Sequence, residues 1–261
     1  MNPMTPVIPA PAPPRTGPPT SWLPGGPPPP GKVPLFLLPP AGGSTAMYRS
    51  AAWRALPAPL AACPVEPPGH GLRMAEGDPL HDIDALVALL DAHLRPPDDA
   101  PWAVLGHSLG ALTAASWALR AQRAGHPPVA LYLSAATPPW LRTDARNLAA
   151  ADDATLWTRL AALGGIPPRV AASPTARRLL TDVMRADVTA AASWRPDLTT
   201  RLTCPVIAVA ATGDPAVAPA TRHGWNRLTT GAFTPLTLPG GHFYRAGLAD
   251  LTPVVARTWP R

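Results

Sequence analysis

Six short apolar runs punctuate the chain, at residues 33–38, 61–65, 102–105, 129–133, 206–210 and 233–238, and stretches of helical periodicity separate most of them. Runs this short, bounded by proline and glycine, read as buried strands. Strands that alternate with helices pair in parallel through right-handed crossovers. The expected helices cover 47–56, 109–124 (closed by Gly125), 219–228 and 246–258. A further helix has Asp78 as N-cap and Pro79 at its first position. Its apolar face is Leu80, Ile83, Leu86, Val87, Leu90 and Leu94, and Pro96-Pro97 ends it. Residues 139–197 break the rhythm: they hold helical stretches at 153–163 and 175–192 with no strand between. An insertion of this kind predicts a helical lid over the carboxyl edge of the sheet.

Thirteen of the chain's 40 prolines fall within residues 1–32, as in Pro27-Pro28-Pro29-Pro30. Proline has no amide donor and a fixed φ, so residues 1–32 are expected to form a disordered or polyproline-like tail ahead of one domain, 33–261. A chain of 261 residues suffices for one full core. No run approaches the roughly 18 apolar residues of a membrane helix, and no basic segment precedes an apolar one at the N-terminus. Cytoplasmic residence is the resulting expectation, with no membrane partner. Net charge is +6, yet the arginines are scattered and Lys32 is the lone lysine, so nucleic acid is not the expected partner. Cys63 and Cys204 form no metal-like cluster. Their number allows a disulfide, and their place beside apolar runs reads as small core residues.

Gly106-His107-Ser108-Leu109-Gly110 matches G-x-S-x-G. It directly follows a predicted strand and opens a predicted helix, the setting a nucleophile elbow requires. The turn is too tight for side chains on its flanks, and it aims a helix N-terminus at developing negative charge. A serine hydroxyl needs a base to become nucleophilic. His242, in Pro239-Gly240-Gly241-His242-Phe243, follows the last strand, and Asp214, in Gly213-Asp214-Pro215, follows the one before. Serine, acid and histidine thus occur in the order an α/β-hydrolase fold uses, with Ser108 as nucleophile, His242 as base and Asp214 orienting it. The oxyanion requires two backbone donors. Leu109 supplies one; Pro40 lacks an N–H, so Ala41 in the turn after the first strand supplies the other. His107 is expected to pack, His70 to sit in a turn near the substrate entrance, and His81, His93, His126 and His223 to lie on the surface.

With these residues in place, the chain resembles the type II thioesterases, the free-standing editing enzymes of polyketide and nonribosomal peptide synthetases, from about Val33 to Tyr244. Pro39-Pro40-Ala41-Gly42-Gly43-Ser44 is similar to the family's Pro-His-Ala-Gly-Gly-Ser, and Gly106 to Gly110 to its Gly-His-Ser-Met-Gly. Leu163-Gly164-Gly165-Ile166-Pro167-Pro168 resembles its lid signature, and Met184-Arg185-Ala186-Asp187 its downstream helix. Pro40 and the turn Pro68-Gly69-His70-Gly71, where the family has Pro-Gly-Arg-Glu, are departures. The resemblance implies hydrolysis of acyl thioesters on the phosphopantetheine arm of an acyl or peptidyl carrier protein, by a monomer, without cofactor or metal. A carboxylesterase or lipase, an acyltransferase, and a binding protein on a retired hydrolase scaffold are the alternative readings.

Overall fold

The computed structural model describes residues 22–76, 80–94, 96, 100–142 and 148–260. Strands β1 (Val33–Leu38), β2 (Leu60–Pro64), β3 (Ala103–His107), β4 (Ala130–Ser134), β5 (Val206–Ala211) and β6 (Phe233–Leu238) form one sheet in the order β2-β1-β3-β4-β5-β6. Every neighbouring pair is parallel. Side chains alternate across it: Phe36 and Leu38 join a core with Trp102 and Trp117, whereas Leu35 and Leu37 join one with Trp53 and Tyr132. Both faces are covered at β1, β3, β4 and β5, which are buried throughout and read as largely apolar runs, whereas the edge strand β6 is only partly buried. The chain winds outward in opposite directions from β1 and β3. Their carboxyl ends therefore flank the crevice where ligands bind in open parallel sheets.

Helix α1 (Ala51–Arg54) follows a 3₁₀ turn at Thr45–Tyr48, so the helix expected over 47–56 is split. Extended backbone at Ser50 makes the break, and Tyr48 and Trp53 are buried on either side of it. Helix α2 spans Ile83–Leu94 and packs on α3 (Leu109–Arg123), where the Ser116 hydroxyl donates to Asp84. Asp78 and Pro79, the expected cap, lie outside the described residues. The Asp82 carboxylate instead accepts the Ala85 N–H at 2.8 Å, which caps the helix and starts it later than the apolar pattern suggests. Segment 219–228 is wound as a 3₁₀ helix, and the terminal helix is 3₁₀ over Gly247–Leu251 before α7 (Thr252–Thr258).

Between β4 and β5 the described residues hold helices and no strand: α4 (Asp153–Ala161), α5 (Pro168–Ala171) and α6 (Pro174–Ser193). Asp152 and Ser173 cap α4 and α6. The Arg185 guanidinium reaches Asp153 at 2.7 Å and ties the two helices together.

The proline-rich segment departs from expectation. Residues 1–21 lie outside the described residues, but Trp22 is buried in the core beneath Arg73, whose guanidinium stacks 4.2 Å from its ring centre. The Trp22 carbonyl accepts the Glu66 N–H at 2.9 Å. Folded structure thus begins upstream of Val33: one tryptophan anchors a stretch whose prolines pair with no strand. Cys63 and Cys204 are buried free thiols, which burial pushes up to about 11 and about 12 respectively. Among the described residues no helix is long and apolar enough to cross a membrane.

Candidate active site

Ser108 joins β3 to α3 with φ +56° and ψ −116°, a conformation non-glycine residues rarely adopt. A Cβ on Gly106 would stand 1.9 Å from the Gly110 carbonyl oxygen, and one on Gly110 would stand 2.3 Å from that of Leu38. Both contacts are with backbone, so the glycines are steric requirements of the turn. The Ser108 N–H donates to the Ser134 carbonyl at 2.8 Å, which pins the elbow to β4. Ser108 is partly exposed between buried neighbours on both sides.

Asp214 lies in the loop after β5 and His242 in the loop after β6. The Gly213 N–H donates to the Gly240 carbonyl at 2.9 Å and binds these loops together. His242 Nδ1–H donates to Asp214 Oδ2 at 2.7 Å, with both side chains almost fully buried. The other carboxylate oxygen, Oδ1, accepts the N–H groups of Ala216 and Val217 at 2.8 and 3.2 Å. An acid held by its own turn fixes the tautomer of the imidazole and leaves Nε2 as the basic nitrogen.

His107 links this pair to the elbow. Its ring centre lies 5.1 Å from that of His242, edge to face. Its Nδ1 lies 2.9 Å from the Ser134 hydroxyl, which is 2.5 Å from the Tyr244 hydroxyl. Burial, and then the neighbouring His242, hold His107 well below the ordinary histidine range. It is a neutral packing residue, as its place on the elbow suggests.

The turn after β1 approaches from the other side. The Gly43 N–H donates to the Pro40 carbonyl at 2.8 Å. Because the two groups of a trans peptide point in opposite directions, that bond turns the Ala41 N–H outward from the turn. Helix α6 lies on the same turn. A Cβ on Gly42 would meet Met184 at 2.9 Å, and the Gly42 N–H donates to Asp187 Oδ2 at 2.7 Å. The lid also reaches the histidine loop, where a Cβ on Gly165 would stand 2.5 Å from the Phe243 ring. The lid signature and its downstream helix therefore both press on the crevice.

His70 is not at an open entrance: it is buried, and its Nε2 lies 2.9 Å from Asp187 Oδ2. His93 is exposed, as expected, with its ring centre 5.5 Å from that of Trp22. Of the other histidines expected at the surface, His81 and His223 are exposed and His126 is half-buried. The His70–Asp187 pair gave no sequence signal, since 117 positions separate its members. Among the described residues no three acidic, histidine or cysteine side chains are grouped to hold a metal ion.

An all-parallel sheet with an elbow serine after its third strand, a His–Asp pair after its last two and a helical insertion over its carboxyl edge is the α/β-hydrolase fold. The thioesterase domain model matches residues 33–260. Thioesterase PikA5 of Streptomyces venezuelae is 33% identical over 214 residues, covering 81% of this chain and 75% of its own. RedJ, a thioesterase from the prodiginine biosynthetic pathway in Streptomyces coelicolor, superposes with a TM-score of 0.75 at 30% identity, over 86% of this chain and 89% of its own. BorB, the type II thioesterase of the borrelidin biosynthetic cluster, gives 0.77 at 33% identity, over 89% and 94%. The chain belongs to the thioesterase family, with type II thioesterases among its structural neighbours, and is a hydrolase of thioester bonds.

Proposed function

We propose that this protein removes acyl groups from the phosphopantetheine arm of acyl or peptidyl carrier proteins, editing assembly lines of the polyketide or nonribosomal peptide kind. The observation that carries the reading is the buried 2.7 Å His242–Asp214 bond in a chain of the thioesterase family whose Ser108 sits at the β3–α3 elbow. The prodiginine pathway of RedJ and the borrelidin cluster of BorB support the carrier-bound substrate. A net charge of +6 suits an acidic partner, through steering more than affinity.

In this reading His242 Nε2 takes the Ser108 proton as Oγ attacks the thioester carbonyl carbon. The carbonyl oxygen becomes an oxyanion held by the Leu109 and Ala41 amides. The C–S bond then breaks, and the imidazolium returns its proton to the departing sulfur. A thiol, with an ordinary pKa of about 8.5, leaves more readily than an alcohol. Water then gives a proton to His242 and its oxygen to the acyl carbon, and Ser108 leaves reprotonated as the free acid departs. Asp214, bonded to His242 Nδ1, orients the ring and stabilises the imidazolium.

The test compares a carrier protein bearing an acyl thioester with an oxygen ester of the same acyl group. The thioester is cleaved with a kcat/KM at least about tenfold higher. Equal or faster turnover of the ester would instead favour a general esterase.

A further inference from the structure

Asp187 Oδ2 is a shared acceptor. It takes the Gly42 N–H at 2.7 Å and lies 2.9 Å from His70 Nε2. The other ring nitrogen, Nδ1, is 2.9 Å from the Pro68 carbonyl oxygen. A carboxylate and a carbonyl can only accept, and a neutral imidazole carries one N–H. Both contacts are hydrogen bonds only if His70 carries two protons, so the geometry describes a buried imidazolium–carboxylate pair. Three segments meet there: the turn after β2, the turn after β1 and the lid helix α6.

The consequence falls on Ala41. Each of the two peptide groups flanking this residue is held by one bond. The Pro40–Ala41 peptide is held by its own turn, through the Gly43 N–H. The Ala41–Gly42 peptide is held from outside, by Asp187. Gly42 itself has φ +66°, a conformation that costs glycine little and so needs an external partner to be kept. A small void beside the pair is lined by Pro39, Pro40, Leu109 and Gly110, which places it directly behind the elbow and the Ala41 turn.

We infer that His70 and Asp187 form a charged strap through which the lid helix fixes the oxyanion turn, making both of them positioning residues for thioester cleavage. The inference rests on the oxyanion role proposed above for Ala41. The strap is also sensitive to pH. Burial alone would lower the His70 pKa, but the Asp187 charge and hydrogen bond, the Pro68 carbonyl and the Glu66 carboxylate outweigh it, and the net shift is upward. Glu66 faces His70 from its own turn and is itself engaged by the Thr45 N–H and hydroxyl. Asp187 faces it from α6. The void's remaining lining, which includes Leu86 and Leu90 of α2 and Thr113 of α3, brings no other titratable group. Loss of the His70 proton sets a lone pair against an acceptor and releases Asp187 from one side.

The test measures labelling of Ser108 by a small fluorophosphonate across pH, in wild type, Asp187→Asn, His70→Gln and His70→Arg. Asp187→Asn slows labelling and lowers thioester kcat about tenfold with KM little changed, a fraction of the 10²–10³ lost with a whole oxyanion donor. In wild type an alkaline limb appears as His70 deprotonates, and His70→Arg, whose charge is permanent, abolishes it. Wild-type labelling rates in Asp187→Asn, or the same limb in His70→Arg, would overturn the strap. Labelling requires no thioester substrate, so a failure of the carrier reading leaves this test intact. Should wild type not label at all, the Ser108 reading is what fails. Amide exchange then decides the strap: Gly42 N–H exchanges about tenfold faster in Asp187→Asn if Asp187 holds it, and unchanged exchange refutes it.

Discussion

A serine held at φ +56° costs of order 1–3 kcal/mol, and backbone pairing to β4 and two obligatory glycines keep it there. The same economy of position governs the two residues proposed to act with it, because Asp214 is fixed by two turn amides before it meets His242. Asp214→Asn keeps the size of the side chain but offers an amide that need not stabilise the imidazolium. It is expected to lower kcat by about 10⁴ while thermal unfolding is little changed, as steady-state kinetics and calorimetry would show. These residues were legible in the sequence because each is bracketed by local signals: glycines that a tight turn demands, an apolar run just before, and a fixed chain order. His70 and Asp187 had no such brackets. A turn histidine and a helix aspartate take on meaning only once the fold closes the distance between them.

At the scale of elements, strands were read more accurately than helix ends. An apolar run bounded by proline or glycine leaves little freedom, and Val33–Leu38 and Phe233–Leu238 lie where the pattern put them. Helix starts depend on which side chain wins the free amides, and Asp82 takes that of Ala85 within a segment that is apolar before and after it. Composition misled most at the N-terminus. Proline content correctly argued against a strand or helix at residues 22–32, yet burial depends on a single large side chain, and Trp22 has one. Trp22→Ala is therefore expected to destabilise the fold by about 3 kcal/mol, through lost packing and the lost Arg73 stack. Urea unfolding would measure this, and a deletion of residues 1–30 would carry the same loss.

Across the whole molecule, the sheet order brings the ends of β1, β3, β5 and β6 to one edge, and the insertion between β4 and β5 lies across that edge. The lid touches both the Ala41 turn and the His242 loop, so stability and activity share contacts. Because the folded pKa of His70 lies above its unfolded value, the pair's contribution to stability is complete below the unfolded value. It is lost as pH rises through the folded one. The difference in melting temperature between wild type and His70→Gln is thus expected to be widest near pH 6, below the ordinary histidine value of about 6.5, and to shrink on the alkaline side. Calorimetry across pH would follow it. The central claim is that a thioester is opened by the hydroxyl at the elbow, and rapid-quench mass spectrometry with an acylated carrier protein tests it most directly. The account predicts a transient acyl adduct on the peptide containing Ser108, and neither adduct nor turnover in Ser108→Ala. Release of the acyl group by Ser108→Ala at the wild-type rate would contradict it.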